Sequence, residues 1–406
     1  MAQRGRMMKR KRKSPTVLPT DILMEIISRL PIYTILQCSR PSSLRSITGI
    51  NVEFNRIVKN PHFAKLFQRH HNNNITSPST FMGFYDNSSI SYLIEYEKKN
   101  NTLVFTHKFD TNCLVPNNDK DSRIIMSNLH VLCSCNGVLL VRYIHKINDG
   151  TIGRLRESLL LVNPVTRRCY TAFEYDEPSL IMEPKYGLGY SQKSGQYKVV
   201  RFTENISERH RVLEVLTLLG NSKIWRTIGT YDDHDGFYNV LSAPVLVNDS
   251  LHWLTSHGNS ILRFDIDTEV FEFFPTPYND EWIMNVSFLS LLDGLLCVGA
   301  SSICTYNSSP EIWVMKEYGV MSSWFRVSVM DDYYYGESLE FIQVLDNGKI
   351  LMISRLKNNF VIFDIGTRKR ESLVMEEIDP DLSCGFRLLP FISNFLSLDD
   401  RYKSIT

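Results

Sequence analysis

Long apolar runs are missing from this chain. No uncharged stretch approaches the roughly 18 residues that a membrane helix needs, and the first residues lack the apolar core of a signal peptide. The expectation is a protein that stays on the reducing side of the cell, away from membranes. Paired cysteine motifs are missing as well. The eight cysteines (Cys38, Cys113, Cys133, Cys135, Cys169, Cys297, Cys304 and Cys384) are scattered, and most sit in apolar runs, which reads as small buried hydrophobes. In that compartment the sequons at Asn205 and Asn285 carry no weight. No phosphate-binding loop, dinucleotide fingerprint, nucleophile elbow or zinc-protease helix occurs. Catalytic groups can converge from distant positions, so this absence alone decides little, but it agrees with a binding protein.

Two clusters come nearest to a metal site. His130 stands close to Cys133 and Cys135, yet no second ligand pair is near enough in sequence to close a four-ligand set. Strand packing is the expected role, and no metal or cofactor is assigned. Asp232, Asp233, His234 and Asp235 lack the alternation and closing glutamate of a calcium loop, and read as a solvated turn.

The net charge of +1 hides an asymmetry. Seven of the 45 Lys and Arg residues fall within residues 1–13, which hold no acid, leaving 38 to set against 44 acids. The run from Lys9 to Lys13 is either a solvated tail or a nuclear import signal, so a cytoplasmic or nuclear location is expected. The mildly acidic remainder argues against a nucleic-acid-binding body. At 406 residues, 43% hydrophobic and 22% charged, the chain has the length for two domains and the composition of a globular one.

Within residues 15–68 the apolar period is helical. Ile22, Leu23, Ile26, Ile27 and Leu30 form one broad stripe, opened by Pro19 and Asp21 and stopped by Pro31. A short apolar piece follows at Ile32, Tyr33, Ile35 and Leu36, and Ile50, Phe54, Ile57 and Val58 make a further one-sided stripe. So short a module buries only about 60% of its surface and calls for a covering partner. The stripes by themselves favour a plain helical cap on the larger domain, since most amphipathic helices face their own core.

From Phe81 the period changes to that of strands, as in TLVFTHKF, GVLLVRY, YKVVRF and GKILMIS, each bounded by Asn, Asp or Gly. LLLVNPVTRRCY, ILRFDIDTEVFEFF and FVIFDIGTRKRESL repeat a strand, an Asx residue (Asn163, Asp265, Asp364) and, three residues on, a threonine (Thr166, Thr268, Thr367). The Asx positions are 102 and 99 residues apart, and each copy reads as a strand–turn–strand hairpin. EVLTLLGNSKIWRTIG and EIWVMKEYGVMSSWFRVSV interleave with them, placing Trp225 and Trp324 in equivalent positions as blade-packing residues. A β repeat of about 50 residues over 81–395 predicts a kelch-like β-propeller of about six blades, with a distorted pair of β-sandwiches as the competing architecture.

LPTDILMEIISRLP, ILQC and FNRIVKNPHFAKLF together resemble an F-box. SCNGVLLV, LVNPVTRR, YGLGYSQKSGQYKVVR, LEVLTLLGNSKIWRTI, PVLVNDSLHWLT, ILRFDIDTEVFEFFPTP, EIWVMKEYGVMSSWFRV and GKILMISRLKNNFVIFD, in that order, resemble the plant F-box-associated domain. The fold class expected is therefore a small all-α F-box module followed by a mainly β, kelch-like propeller-type domain. Its parts are a disordered basic tail over 1–14, an F-box over 15–68, a linker over 69–80, the β domain over 81–395 and a tail over 396–406. One departure stands out: Ser39 to Ile47 looks inserted. Reading Leu44 instead as the family's aromatic position would put Pro41 inside a helix at about 3 kcal/mol, against about 0.6 kcal/mol per doubling of a loop.

The resemblance implies a non-catalytic substrate-receptor subunit of an SCF-type (Skp–cullin–F-box) ubiquitin ligase. A Skp-type adaptor, and through it a cullin, would meet Leu18, Pro19, Ile22, Leu23, Ile26, Leu30, Pro31 and Leu36, with Phe54 in the aromatic position. A protein substrate would meet the β domain, for which the acidic and aromatic segment with Tyr333, Tyr334 and Tyr335 is a candidate loop. Two alternatives stay open: a stand-alone propeller interaction protein with a disabled F-box, and a carbohydrate-binding or enzymatic propeller.

Overall fold

Pro19 and Pro31 bracket the first helix. α1 (Thr20–Ile27) starts where the Leu23 amide donates to the Pro19 carbonyl, and it has no side-chain cap; Asp21 lies in its first turn. The helix unwinds through Ser28 to Leu30, whose amides turn back on Met24, Ile26 and Ile27. α2 (Ile32–Cys38) follows at once. α3 occupies residues 54–58 and α4 spans Pro61–His71. Asn60 caps α4: its Oδ1 accepts the His62 amide at 2.8 Å, and Pro61 fills the first helical position, where no N–H is needed. Met24, Ile27, Ile35, Ile57, Phe63 and Phe67 are buried in this unit, residues 1–71.

The computed structural model describes residues 18–38, 54–71, 80–85, 90–97, 102–110, 129–146, 155–176, 184–205, 210–218, 223–232, 244–255, 260–277, 284–302, 311–329, 339–345, 348–354, 359–373, 386–395 and 398. The basic tail, the Ser39–Ile47 insertion, the Asp233–Asp235 part of the acidic turn and the loop bearing Tyr333, Tyr334 and Tyr335 lie outside them.

The second unit, residues 72–406, is almost wholly β among its described residues. Blade 2 consists of β4 (Leu129–Cys135), β5 (Val138–Lys146), β6 (Leu155–Asn163) and β7 (Arg168–Asp176). Blade 3 is β8 (Lys185–Ser191), β9 (Gln196–Asn205), β10 (His210–Thr217) and β11 (Trp225–Asp232). Blade 4 is β12 (Val245–Val247), β13 (Ser250–Leu254), β14 (Ser260–Asp265) and β15 (Phe271–Pro275). Blade 5 is β16 (Met284–Leu292), β17 (Leu295–Ser302), β18 (Glu311–Met315) and β19 (Trp324–Val329). Blade 6 is β20 (Leu339–Leu345), β21 (Lys349–Ser354), β22 (Asn359–Asp364) and β23 (Arg370–Leu373).

Blade 1 is composite. β1 (Thr80–Tyr85), β2 (Ile90–Glu97) and β3 (Thr102–Asp110) come from the start of the unit, and β24 (Phe386–Pro390) from its end pairs antiparallel with β1. The leading strands then touch in turn, β24 to β4, β4 to β8, β8 to β13, β12 and β13 to β16, β16 to β20 and β20 back to β24. The unit is a six-bladed β-propeller, closed by its own C-terminal strand, and the sandwich alternative falls away. Each blade keeps a short inner edge and an outer edge, and the radial repeat protects them rather than removing them.

Apolar layers between blades hold the ring. Gly187 and Gly189 on β8 show how closely they pack: a Cβ at Gly187 would lie 2.5 Å from Trp253 Cζ2, and one at Gly189 2.4 Å from Ile266 Cδ1. The recurring tryptophans sit in these layers, as the repeat predicts. Trp225 meets Phe173 of blade 2 edge-on, with centroids 5.7 Å apart, and lies under the Arg201 guanidinium at 4.0 Å. Trp324 is buried among Leu289, Leu296 and Met315.

The two ends of the propeller are built differently. At one end, first and second strands of several blades join through tight turns of left-handed residues: Asn136–Gly137, Asn248–Asp249 and Asp293–Gly294. The third-to-fourth-strand hairpins close at the same end, because Leu139 pairs with Val162 beside both turns. In blades 2, 4 and 6 these are the Asx turns seen in sequence. Asn163 Oδ1 accepts the Val165 and Thr166 amides, Asp265 Oδ1 those of Asp267 and Thr268, and Asp364 Oδ1 that of Thr367. Each turn ends on a left-handed residue, Arg167, Glu269 or Arg368. The outermost strands β3, β11 and β19 end at the opposite end.

Candidate functional site

α1 presents an unusual face. Leu18, Ile22 and Ile26 follow one another at i, i+4 and i+8 and are each 48% exposed, while Met24 and Ile27 on the far side are buried. Tyr33 on α2 is a further exposed ring, and Pro19 and Pro31 are exposed at the two ends of α1. Of the other positions expected to meet the adaptor, Leu23, Leu30 and Phe54 are half-buried, and Leu36 is buried in the core of the unit. The helix is fixed from behind. Glu25 accepts from Arg29 Nη2 at 2.7 Å and from His70 Nε2 of α4 at 3.1 Å, and the Arg29 bond holds its carboxyl below the usual carboxylate range. Covering a half-exposed Leu or Ile recovers about 1 kcal/mol, so the three together offer a partner a few kcal/mol.

The propeller has buried polar clusters between blades. Arg142 and Glu157 pair at 3.0 Å, nearly without exposure, and Tyr186 of blade 3 donates to Glu157 Oε1 at 3.0 Å. Tyr175 bonds Tyr186 at 3.2 Å, and burial pushes both phenols well above their ordinary value. Between blades 4 and 5, His252 is buried, with Nε2 2.7 Å from Tyr318 Oη and Nδ1 3.3 Å from the Val245 carbonyl. Burial lowers its pKa to about 4, so the ring is neutral at physiological pH. Burial likewise raises the thiols of Cys133, Cys169 and Cys297, the middle one to about 12. These groups are held in their unreactive forms, and their geometry ties blade to blade. No charge or phosphate motif in the sequence marks them, because the partners come from different strands, some of one blade and some of the next.

Cys133 and Cys135 point into the layer between blades 2 and 3, with Val138, Leu161 and Tyr186, and His130 is half-buried on the same strand. Among the described residues no group of three His, Cys, Asp or Glu side chains gathers as a metal site.

The fold defines the class: a six-bladed propeller preceded by a separate helical unit with one apolar face uncovered. Residues 106–381 match the F-box associated beta propeller domain. F-box protein CPR1 of Arabidopsis thaliana is 28% identical over 57% of this chain and 63% of its own length. F-box protein At3g07870 of the same plant is 24% identical over 90% of this chain and 85% of its own. The chain belongs to the family of plant F-box proteins with an F-box-associated β-propeller domain. Among solved structures, the α-L-arabinanase of Penicillium chrysogenum overlays 60% of this chain and 78% of its own at 10% identity, with a TM-score of 0.37, too loosely to bear on function.

Proposed function

We propose that this protein is the substrate-receptor subunit of an SCF-type ubiquitin ligase. The helical unit docks on a Skp-type adaptor, which links it to a cullin, and the propeller holds the protein substrate. One observation carries the reading: Leu18 just before α1, and Ile22 and Ile26 on it, form an apolar row opposite a face that is already packed. A row of that kind is a helix-in-groove ligand, with anchors one turn apart. Kinship with F-box proteins supports the same partner. The chain itself then supplies no nucleophile. It raises the effective concentration of a substrate lysine beside the ubiquitin-loaded enzyme brought by the assembly.

The test is direct binding of the full chain to a purified Skp-type adaptor, beside the Ile22→Asp, Ile26→Asp variant. Capture by the natural chain and its loss in the variant are expected. Capture only after residues 39–47 are deleted would instead define a disabled receptor, and no capture in any form would leave a stand-alone propeller.

A further inference from the structure

The chain continues past the strand that closes the ring, and it is buried more deeply there than in the strand itself. Of β24 only Phe386 is buried; Arg387 is exposed, and Leu388, Leu389 and Pro390 are half-buried. Residues 391–395 form neither helix nor strand, yet Phe391, Asn394 and Phe395, with Leu398 beyond them, are each no more than 4% exposed. The last residues of a domain stay loose unless something ties them down, so burial of this depth calls for partners.

The partners lie on blade 1, on blade 2 and in the layer beyond it. On blade 1 the Phe391 amide donates to the Thr80 carbonyl at 2.9 Å, which pins the start of β1. On blade 2, Ser134 Oγ donates to the Pro390 carbonyl at 2.6 Å. Asn394 then bridges both tight turns of that blade. Its side-chain and main-chain oxygens accept from Asn163 Nδ2 at 3.1 and 3.3 Å, and its own Nδ2 donates to the Asn136 carbonyl. Gly137, with φ at +73°, leaves room for the crossing: a Cβ there would lie 2.8 Å from both the Asn394 amide nitrogen and the Ile392 carbonyl oxygen. Leu398 reaches the apolar layer between blades 2 and 3, with Leu140, Leu161 and Leu218. The hydrogen-bonded partners on blade 2 are 231 to 258 positions away in sequence. Gathering such distant parts of a chain carries a loop-closure cost, which apolar burial beyond β24 offsets.

We propose that residues 391–398 are a C-terminal latch, which locks the ring at blades 1 and 2 and whose release opens the propeller there while sparing the helical unit. The latch goes beyond the receptor reading and does not depend on it. It imposes an order on assembly. Domains fold as units, N-terminal ones first during synthesis, so the helical unit is complete long before Leu398 is made and the ring can lock. A chain that stops at Pro390 would keep the helical unit and β24 but lose the lock.

The test is native-state hydrogen exchange on the full chain, on a chain ending at Pro390 and on the full-length Asn394→Ala variant. In the shortened chain the amides of β1, β4, β5 and β24 should exchange at least about a hundredfold faster than in the natural protein, with β13, β14, β17 and β18 nearly unchanged. Asn394→Ala keeps every apolar anchor, and should speed exchange in the same four strands about tenfold. If the shortened chain does not fold, Phe395→Ala replaces it, with an increase of at least about thirtyfold expected there. Natural rates at β1 and β4 in these variants overturn the latch. Acceleration of equal size in all six blades also overturns it, because the segment would then be an ordinary part of one cooperative core. The amides of α1 and α4 should keep their natural rates throughout, and faster exchange in them would overturn the claim that release spares the helical unit.

Discussion

α1 and β13 are both rich in apolar side chains, yet they treat them in opposite ways. On β13 every residue from Ser250 to Leu254 is buried, Trp253 completely. On α1 and just before it, half of each of Leu18, Ile22 and Ile26 stays in water. The difference follows from architecture. A propeller strand has a neighbouring blade on either face, and ring closure supplies one even to the first blade. A short helical unit has one packed side, so a helix with apolar groups all round must leave some uncovered. The ring satisfies itself, whereas the helical unit leaves an apolar row in water.

Changes to the ring should cost stability and spare adaptor binding. Trp253→Ala removes the ring that packs edge-on against Phe202 and fills the space beside Gly187, and is expected to destabilise by about 3–5 kcal/mol in chemical denaturation. A parallel fall in adaptor affinity would break the separation of the two units.

Acid should act on the ring through His252. Its folded pKa, about 4, is below its ordinary 6.5, so protons bind the unfolded chain more readily. The contribution is complete above about pH 6.5 and is lost as pH falls towards 4, reaching on the order of 3 kcal/mol. Denaturation midpoints for His252→Gln should vary less across this window than those of the natural protein.

On the helical unit the pattern reverses. Ile22→Asp with Ile26→Asp should lower adaptor affinity at least about thirtyfold and change stability by no more than about 0.5 kcal/mol, since both side chains are at the surface. A large loss of stability would mean that this face is already covered within the chain.

The smallest contrast lies within the ring. Asn163 and Asp364 make the same Asx turn, but buried Asn163 also donates from Nδ2 to Asn394, on the segment that follows β24. Asn163→Ala should cost about 2 kcal/mol and Asp364→Ala about 1, read as midpoint shifts in urea.

What was legible in the sequence was local. The Asx turns at Asn163, Asp265 and Asp364 and the alternating tryptophan hairpins announced a β repeat, because their determinants lie within a few residues of one another. The prolines bounding α1 were equally plain. Blade 1 was obscure, since its leading strand is β24, just over 300 residues after β1, and no local pattern encodes a pairing across the whole unit. Nothing close in sequence accounts for the glycines of β8; Trp253 and Ile266 of the next blade do, by filling the space a side chain would take. The same holds for Arg142 with Glu157, charges placed inside strands whose partners are set by register. Of the positions on the helical unit, periodicity marked the apolar stripe without distinguishing exposed Ile22 and Ile26 from buried Leu36, because which side faces inward depends on α4.

Hydrogen exchange of the full chain, alone and with a purified Skp-type adaptor, tests the central claim most directly. The account predicts new protection confined to the amides of residues 18–38, with the strands from Leu129 to Leu373 unchanged. Protection appearing in the propeller strands with none on α1 would contradict it.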